Sequence, residues 1–187
     1  MTPTINSTEA ERNGILEAAR LMLIAARTAP KSAGIDDILT AIVYGKEKNA
    51  IAAEMEKIAK RRKLEGFKRD AKNVRESEAI ILIGVRGNKS FGMNCGACNY
   101  QTCKKFDQAK KKPSQDFVGP TCLFKALDLG IALGSAAKTA SLLNVDNRIM
   151  YRIGAAAVKL KMLPEATVIM GIPLSTRGKS IYFDRTK

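Results

Sequence analysis

The residues most able to do chemistry in this chain are its four cysteines. They are Cys95, Cys98, Cys103 and Cys122, and their spacing is C-x2-C-x4-C-x18-C. Thiolates are ligands for zinc ions and for the iron atoms of iron–sulfur clusters. Two thiolates separated by two residues can reach one metal centre from a tight turn, in which Gly96 lets backbone amides face the sulfurs. The pattern therefore predicts a metal centre held by all four cysteines.

The unequal spacing favours a 4Fe-4S cluster over a single zinc ion. A structural zinc site usually takes two compact pairs of ligands, whereas eighteen residues separate Cys103 from Cys122. A cubane cluster has its four irons at separate corners, so short spacings and one remote ligand suit it. Two alternatives stay open: a structural zinc ion on the same thiols, or a dithiol pair at Cys95 and Cys98 beside two incidental cysteines.

The absence of histidine narrows the chemistry open to the rest of the chain. With 0 histidines, the sequence excludes Ser-His-Asp and Cys-His catalysis, Cys2His2 zinc fingers, HExxH metalloprotease sites and haem held by a proximal histidine. The sequence also shows no convincing acid–base pair, so we expect any catalysis to be done by bound cofactors. We therefore assign no catalytic residue.

The chain is strongly basic, because 32 Lys and Arg residues stand against 18 Asp and Glu residues and give a net charge of +14. This charge attracts acidic proteins, anionic cofactors and nucleic acid. Five lysines lie between the third and fourth cysteines, namely Lys104, Lys105, Lys110, Lys111 and Lys112. They predict a docking surface for an acidic redox partner protein, and the alternative is an ordinary solvated helix face.

An electron carrier or a small oxidoreductase is the function that these features favour, and two rival functions stand beside it. Residues 60–75 carry a local charge of +6 that could contact phosphates, but only 5% of the residues are aromatic and the chain has 0 tryptophans to stack on bases. We therefore disfavour nucleic acid as the partner. The other rival is a zinc-stabilised basic interaction module without redox chemistry.

The helices and strands on either side of the cysteine segment must position the four thiols. Hydrophobic periodicity predicts four such elements before the segment. They are a helix from Ser7 or Thr8 that ends before Arg27, a strand over residues 39–44, a polar helix over 46–63 and a buried strand over 79–85. The last of these is an unbroken apolar run, as expected of a central strand that helices cover on both faces.

Three elements are predicted after the cysteine segment. They are a core helix over residues 123–143, a helix over 147–161 capped by Asp146, and a buried strand over 166–172. Gly130 and Gly134 share one face of the core helix, where we expect a neighbouring backbone to approach closely. The order of elements predicts an α+β fold in one domain over residues 1–187, with a cysteine-rich iron–sulfur insertion over residues 88–122.

The cysteine segment resembles a known iron–sulfur module. Residues 95–103 read CGACNYQTC, and they are similar to the CGxCGxxxC pattern of the 4Fe-4S domain found in the large subunit of the corrinoid iron–sulfur protein and in ferredoxin-like subunits of membrane electron-transfer complexes. Asn99 stands at a glycine position of that pattern. Cys122 matches its fourth cysteine and is followed by Leu123, where the module has proline. The resemblance implies that all four cysteines are ligands of one 4Fe-4S cluster.

The chain as a whole resembles the uncharacterised ferredoxin-domain-containing proteins that are found largely in anaerobes. The segments that carry this resemblance are the cysteine block, residues 27–31 (RTAPK) and residues 142–148 (LLNVDNR). The resemblance implies a cluster and names no substrate.

The order of elements also resembles that of flavin-dependent nitroreductases, through residues 129–135 (LGIALGS) and 171–173 (GIP). This resemblance implies a nitroreductase-like three-layer sandwich, in which helices surround a small central sheet. It also implies an FMN cofactor whose phosphate is bound by Arg27 and by Arg177 or Lys179. Ordinary solvated charge is the alternative for each of these three residues.

The sequence predicts a cytoplasmic protein without a membrane helix. The first 30 residues lack the pattern of a signal peptide, and the least charged stretch, residues 121–143, is interrupted by Lys125, Asp128 and Lys138. The apolar tail over residues 181–183, together with the nitroreductase resemblance, predicts a homodimer in which this tail pairs with the partner's sheet.

Overall fold

Helices cover both faces of a small central sheet. The computed structural model describes residues 4–183, and the elements before the cysteines are α1 (Ser7–Thr28), β1 (Ile38–Tyr44), α2 (Gly45–Arg62), α3 (Glu65–Glu76) and β2 (Ala79–Val85). The later elements are α4 (Cys103–Gln108), β3 (Lys112–Pro113), β4 (Val118–Gly119), α5 (Leu123–Leu142), β5 (Asp146–Asn147), α6 (Tyr151–Lys159) and β6 (Val168–Ser175). The two ends of the domain predicted over residues 1–187 lie outside the described residues.

The central sheet is antiparallel, with the strand order β1-β2-β6-β5. All seven residues of β2 are buried, and side chains alternate between the two faces of a strand. Ile81 and Ile83 therefore pack with α1 and α5, whereas Ile80 and Leu82 pack with α2, α3 and α6. These two apolar layers confirm the predicted sandwich of helices around a small sheet.

The apolar runs predicted as outer strands both lie in this sheet. β1 confirms the strand predicted over residues 39–44, and β6 confirms the strand predicted over 166–172 but continues past Pro173 to Ser175. Pairing between β5 and β6 is interrupted opposite Pro173 and resumes in the same register at Gly171. The interruption falls there because proline has no N–H to donate to the ladder.

The helices expected from periodicity are confirmed, except at the end of α1, which continues through Arg27 to Thr28, and at the beginning of α6. α1 is capped by Asn6, whose Oδ1 accepts a hydrogen bond from the N–H of Glu9 at 2.9 Å. The helix predicted over residues 147–161 is wrong at its start, because Asp146–Asn147 pair with β6 as a short edge strand and α6 begins only at Tyr151. Among residues 4–183, no helix is both long enough and apolar enough to cross a membrane.

The basic run over residues 60–75 contains the end of α2, a left-handed residue at Lys63 with φ 54, and α3, a helix not predicted from the sequence. α3 forms because Phe67, Ala71 and Val74 recur at helical spacing and are buried against α2 and the sheet. Its basic side chains lie on the opposite face of the helix.

Gly130 and Gly134 do not bring another backbone close to α5. Both are exposed, and no neighbouring element lies within 4 Å of the position that a Cβ would take at either residue. The expectation of a close approach there is wrong, since α5 packs through its other face. A close approach occurs instead at Gly154 of α6, where a Cβ would lie 1.6 Å from the carbonyl oxygen of Ile169 in β6.

The apolar tail packs on its own chain rather than extending away from it. Tyr182 is 4% exposed and joins the core beneath α2, α3 and α6, and its burial raises the pKa of its hydroxyl. The carbonyl oxygens of Ile181 and Tyr182 accept hydrogen bonds from the side chains of Asn73 and Arg148. The homodimer stays a prediction.

Candidate metal centre

The two ends of the segment that carries the cysteines lie side by side, just after β2. The N–H of Cys122 donates a hydrogen bond to the carbonyl oxygen of Gly87 at 2.9 Å, which closes the base of residues 88–122, here called the cysteine loop. Gly87 is fixed in turn, because its N–H donates to Thr167 Oγ1 at 3.0 Å. A Cβ on Gly87 would lie 2.6 Å from Thr121 Cγ2, so this approach requires glycine. Both ends of the loop are therefore held at the end of β2.

Four residues with positive φ turn the first part of the cysteine loop tightly. They are Gly92 (φ 95), Asn94 (φ 50), Gly96 (φ 75) and Asn99 (φ 66). Glycine and asparagine are the residues that enter this left-handed region most readily. Asn99 can therefore replace the glycine of the similar iron–sulfur pattern, and its N–H donates to the carbonyl oxygen of Gly96 at 2.9 Å.

Two pairs of hydrogen bonds join the beginning of the cysteine loop to α4. The N–H of Asn94 donates to Cys103 Sγ at 3.3 Å, and Asn94 Oδ1 accepts from the N–H of Cys103 at 2.7 Å. Ser90 donates its N–H and its hydroxyl to the two carboxylate oxygens of Asp107, at 3.0 and 2.8 Å. An N–H directed at a sulfur stabilises negative charge on that sulfur.

Two of the cysteines stand at the beginnings of helices. Cys122 is the N-cap residue of the 20-residue helix α5, whose positive end stabilises nearby negative charge. Leu123 occupies the first position of that helix, which is where proline is also favoured, so leucine in place of proline keeps the helix start. Cys103 begins α4, where Thr102 Oγ1 caps the helix by accepting from the N–H of Lys105 at 3.2 Å.

All four cysteines line one pocket, and each is a free thiol. Cys95 is exposed, Cys98 and Cys103 are partly exposed, and Cys122 is buried. The rest of the pocket wall includes two packed ring pairs, Phe91 with Phe124 and Tyr100 with Phe106. The pocket is therefore apolar beside these rings, and the side with Cys95 faces solvent.

The chemistry of these donors fits a thiolate-ligated cluster. In the described part of the chain, the pocket lining contains four thiols and no carboxylate, and soft thiolates are the usual ligands of iron–sulfur clusters. Within residues 4–183, no group of three Cys, Asp or Glu side chains has the arrangement to hold a single metal ion. Cys95, Cys98, Cys103 and Cys122 are the residues that would hold the cluster.

The lysines between Cys103 and Cys122 differ in the contacts that their side chains make. Lys111 donates to the carbonyl oxygen of Phe106, and its Nζ lies 3.6 Å from the centre of the Phe106 ring. Lys105 is exposed and donates to the side chain of Gln101. Lys104, Lys110 and Lys112 are exposed, and their side chains make neither a hydrogen bond nor an ion pair with residues 4–183.

The last part of the cysteine loop contacts the basic run over residues 60–75. Arg62 forms an ion pair with Asp116, and the hydroxyl of Tyr151 donates to the other oxygen of Asp116 at 3.1 Å. Burial and the charge of Asp116 raise the pKa of Tyr151. Arg62 therefore has a structural partner within the chain.

Arg27, predicted to bind the FMN phosphate, is tied to the beginning of β1. Its guanidinium donates to the carboxylate of Asp36 and to the carbonyl oxygen of Ile38, the latter at 2.8 Å. Burial alone would raise the pKa of Asp36, but the hydrogen bond and the charge of Arg27 hold it below its ordinary value.

Arg177 and Lys179, the other residues predicted to bind the phosphate, follow β6 at the opposite end of the sheet. Arg177 lies 3.7 Å from Glu78, just before β2, whereas Arg27 contacts Ile38, which pairs with the last residue of β2. Seven residues of strand separate these two ends by about 20 Å. Within one chain, Arg27 and Arg177 therefore lie at opposite ends of the sheet.

A second pocket lies at the Glu78 end of the sheet. Its lining includes Arg12, Gly45, Lys48 and Glu78. Gly45 begins α2 with φ 60, and no side chain among the described residues caps that helix. Lys48 is buried and donates to two backbone carbonyl oxygens, and burial lowers the pKa of its ammonium.

A group of buried charges beneath the cysteine loop was not identified from the sequence. Lys125 Nζ lies 2.9 Å from Oδ2 of Asp37, and both side chains are almost fully buried. One turn further along α5, Asp128 accepts from the N–H and the hydroxyl of Ser32 at 2.9 and 2.8 Å. The available signal was the presence of Lys125 and Asp128 at positions three residues apart in an otherwise apolar helix.

Similarity to solved structures identifies the fold of the chain. The chain has the nitroreductase fold. A Bacteroides thetaiotaomicron VPI-5482 protein described as an NADH dehydrogenase/NAD(P)H nitroreductase matches with a TM-score of 0.56 and 14% identity, over 96% of this chain and 79% of that one. A Desulfovibrio desulfuricans protein described as a nitroreductase in complex with FMN matches with a TM-score of 0.55 and 13% identity, over 100% of this chain and 83% of the other.

Similarity in sequence identifies the family to which the chain belongs. Residues 118–185 match the family described as uncharacterized protein containing a ferredoxin domain, a range that includes Cys122 but not the other three cysteines. A protein from Archaeoglobus fulgidus, described as uncharacterized, is 50% identical over 181 residues, which is 97% of both chains. The chain belongs to this family of uncharacterized proteins containing a ferredoxin domain.

Proposed function

We propose that the protein holds one 4Fe-4S cluster on Cys95, Cys98, Cys103 and Cys122 and transfers electrons one at a time. The observation that carries the proposal is the single pocket lined by all four free thiols. Membership of a family with a ferredoxin domain supports a redox role.

The residues around the pocket have distinct roles in this function. The cluster would supply one-electron oxidation and reduction. The N–H of Asn94 stabilises negative charge on the sulfur of Cys103, and the N-terminus of α5 does so at Cys122. The aromatic ring pairs keep water from the inner side of the pocket, while the exposed Cys95 leaves the outer side accessible to a partner.

Anaerobic reconstitution of the full chain with iron and sulfide tests this proposal. We expect about four irons and about four sulfides per chain, with a brown colour. Cys98→Ala should lose most of both elements because it removes one ligand, whereas Ser114→Ala, an exposed position of the same loop, should keep them. Stoichiometric zinc without sulfide would contradict the proposal and favour the zinc-stabilised interaction module.

We propose an acidic redox protein as the partner of this centre. Lys104, Lys110 and Lys112 are exposed in the segment that joins the third cysteine to the fourth. Positive charge beside a redox centre steers an acidic protein toward the accessible side of that centre.

A flavin-dependent oxidoreductase is the second candidate function, and we propose FMN as its cofactor. The nitroreductase fold supports this candidate. The pocket at the Glu78 end of the sheet has Arg12 in its lining beside the N-terminus of α2, which no described side chain caps, an arrangement that suits a phosphate, and Arg177 lies next to Glu78. We therefore expect phosphate contacts from Arg12 and Arg177 rather than from Arg27. A chain with both groups would couple two-electron and one-electron carriers.

Flavin retention after incubation with FMN and desalting tests the second candidate. We expect the wild-type chain to retain flavin absorbance and the Arg12→Ala, Arg177→Ala double variant to lose most of it, because two phosphate contacts are removed. Arg27→Ala is the matched control and should retain the flavin. Free flavin in the wash of the wild-type chain would leave electron transfer by the cysteine loop as the function.

A further inference from the structure

A buried ion pair lies at the base of the cysteine loop, where holding a cluster does not require one. Lys125 stands three residues after Cys122, in the first turn of α5, and its side chain is 1% exposed. Its Nζ is 2.9 Å from Oδ2 of Asp37, whose side chain is 8% exposed. Lys89, at the beginning of the loop, approaches the other oxygen of Asp37 at 3.6 Å.

Neither packing nor helix stability accounts for Lys125. The first turn of a helix is its positive end, so a cation is disfavoured there. Burying an ion pair removes two charges from water, and apolar side chains of similar size often replace such pairs without loss of stability. Apart from Asp37, Lys125 Nζ has no polar partner among residues 4–183. What this position does provide is positive charge in the helix turn that begins at Cys122.

Lys125 and Asp37 come from different parts of the fold, and only Lys125 belongs to the helix that Cys122 caps. A helical side chain points back toward the N-terminal turn of its helix, so Lys125 covers the turn that Cys122 caps. Asp37 belongs to the segment before β1 and contacts α5 through Lys125. Because both side chains are buried, water and salt screen their charges less than they screen charges at the surface.

We propose that this buried ion pair sets the reduction potential of the metal centre on the four cysteines, with Lys125 raising the potential and Asp37 lowering it. The inference rests on the proposed function. Reduction adds negative charge to a centre that four thiolates surround, so a nearby cation stabilises the reduced form and a nearby anion destabilises it. Lys89 acts in the same direction as Lys125 but more weakly, because its side chain is 61% exposed.

A redox titration of the anaerobically reconstituted full chain tests this proposal, followed by visible absorbance and by the electron paramagnetic resonance signal of the reduced form. Lys125→Met removes the cation and keeps an unbranched apolar chain, and we expect a lower midpoint potential than in the wild type. Asp37→Asn removes the anion with little change in shape, and we expect a higher one. Lys138→Met removes an exposed lysine about 20 Å further along α5 and should leave the potential unchanged.

The expected shifts in midpoint potential have opposite signs in Lys125→Met and Asp37→Asn. This difference in sign distinguishes an effect of charge from a loss of structure. Shifts of the same sign in Lys125→Met and Asp37→Asn, or shifts no larger than that of Lys138→Met, would overturn the proposal. If Lys125→Met fails to fold, Asp37→Asn is titrated together with the exposed variant Lys89→Met. At low ionic strength, Asp37→Asn should raise the midpoint potential and Lys89→Met should lower it. Absence of both shifts overturns the proposal. A wild-type chain that binds no iron and sulfide overturns the proposed function, and this result is recognised before any variant is titrated.

Discussion

Gly154→Ala is expected to lower the thermal stability of the protein strongly, because α6 and β6 approach too closely to admit a methyl group. The added Cβ would lie 1.6 Å from the carbonyl oxygen of Ile169 and 2.4 Å from its carbonyl carbon. These are backbone atoms of a strand, which cannot rotate away as a side chain can. Overpacking a core costs about 1–3 kcal/mol, and we expect the upper end of that range here. For a chain of this length, such a loss lowers Tm by roughly 6–12 °C.

Gly14→Ala is the matched control for this substitution. Gly14 is exposed in α1, and no neighbouring atom of residues 4–183 lies within 4 Å of the position that its Cβ would take. Alanine is the better helix former by about 1 kcal/mol, so this variant should be at least as stable as the wild type. Thermal unfolding followed by circular dichroism measures both variants. An unchanged Tm for Gly154→Ala would contradict the close approach between α6 and β6.

Reversing the charge of three lysines beside the thiols is expected to slow electron transfer to an acidic protein about tenfold or more at low ionic strength. Lys104→Glu, Lys110→Glu and Lys112→Glu together lower the net charge by 6, from +14 to +8. The loss of steering acts on the encounter of the two proteins, so the difference should shrink as salt screens the charges. The second-order rate constant with a small acidic ferredoxin, measured over a series of salt concentrations, checks this expectation.

The control has the same net charge but leaves the cysteine loop unaltered. Lys46, Lys138 and Lys159 are exposed on α2, α5 and α6, and their replacement by glutamate also gives +8. We expect these three substitutions together to slow the reaction much less than the reversal within the loop. Equal slowing in the two triple variants would show that overall charge, and not a docking surface, governs the reaction.

Continuous apolar runs and helical periodicity were sufficient to predict the central layers of this fold. The run over residues 79–85 forms β2 and is buried on both faces, as expected of a strand between two layers of helices. The periodicity in α1 likewise predicted which face of that helix is buried, whereas the face expected to be packed on α5, that of Gly130 and Gly134, is exposed. α3 was not predicted, since its many basic residues obscured the spacing of Phe67, Ala71 and Val74.

What sequence patterns could not predict depends on contacts between distant segments. Asp146 has the residue type of a helix cap, but pairing with Ser175 in β6 draws it into the sheet and delays the start of α6. The ion pair of Lys125 with Asp37 joins α5 to the segment before β1, and no local spacing encodes it. The spacing of the four cysteines, by contrast, predicted that they share a site, and they line one pocket. The metal itself stays a proposal.

The hydrogen bond between Cys122 and Gly87 affects how a metal centre is loaded. Bringing together the ends of an open chain of 34 residues costs about 3 kcal/mol of conformational entropy. The contacts of Gly87 with Thr167 and Cys122 are present without any bound metal, so this entropy is lost when the domain folds. The base of the cysteine loop is therefore closed before any metal binds. We expect the proposed cluster to be removed and reloaded without refolding of the domain.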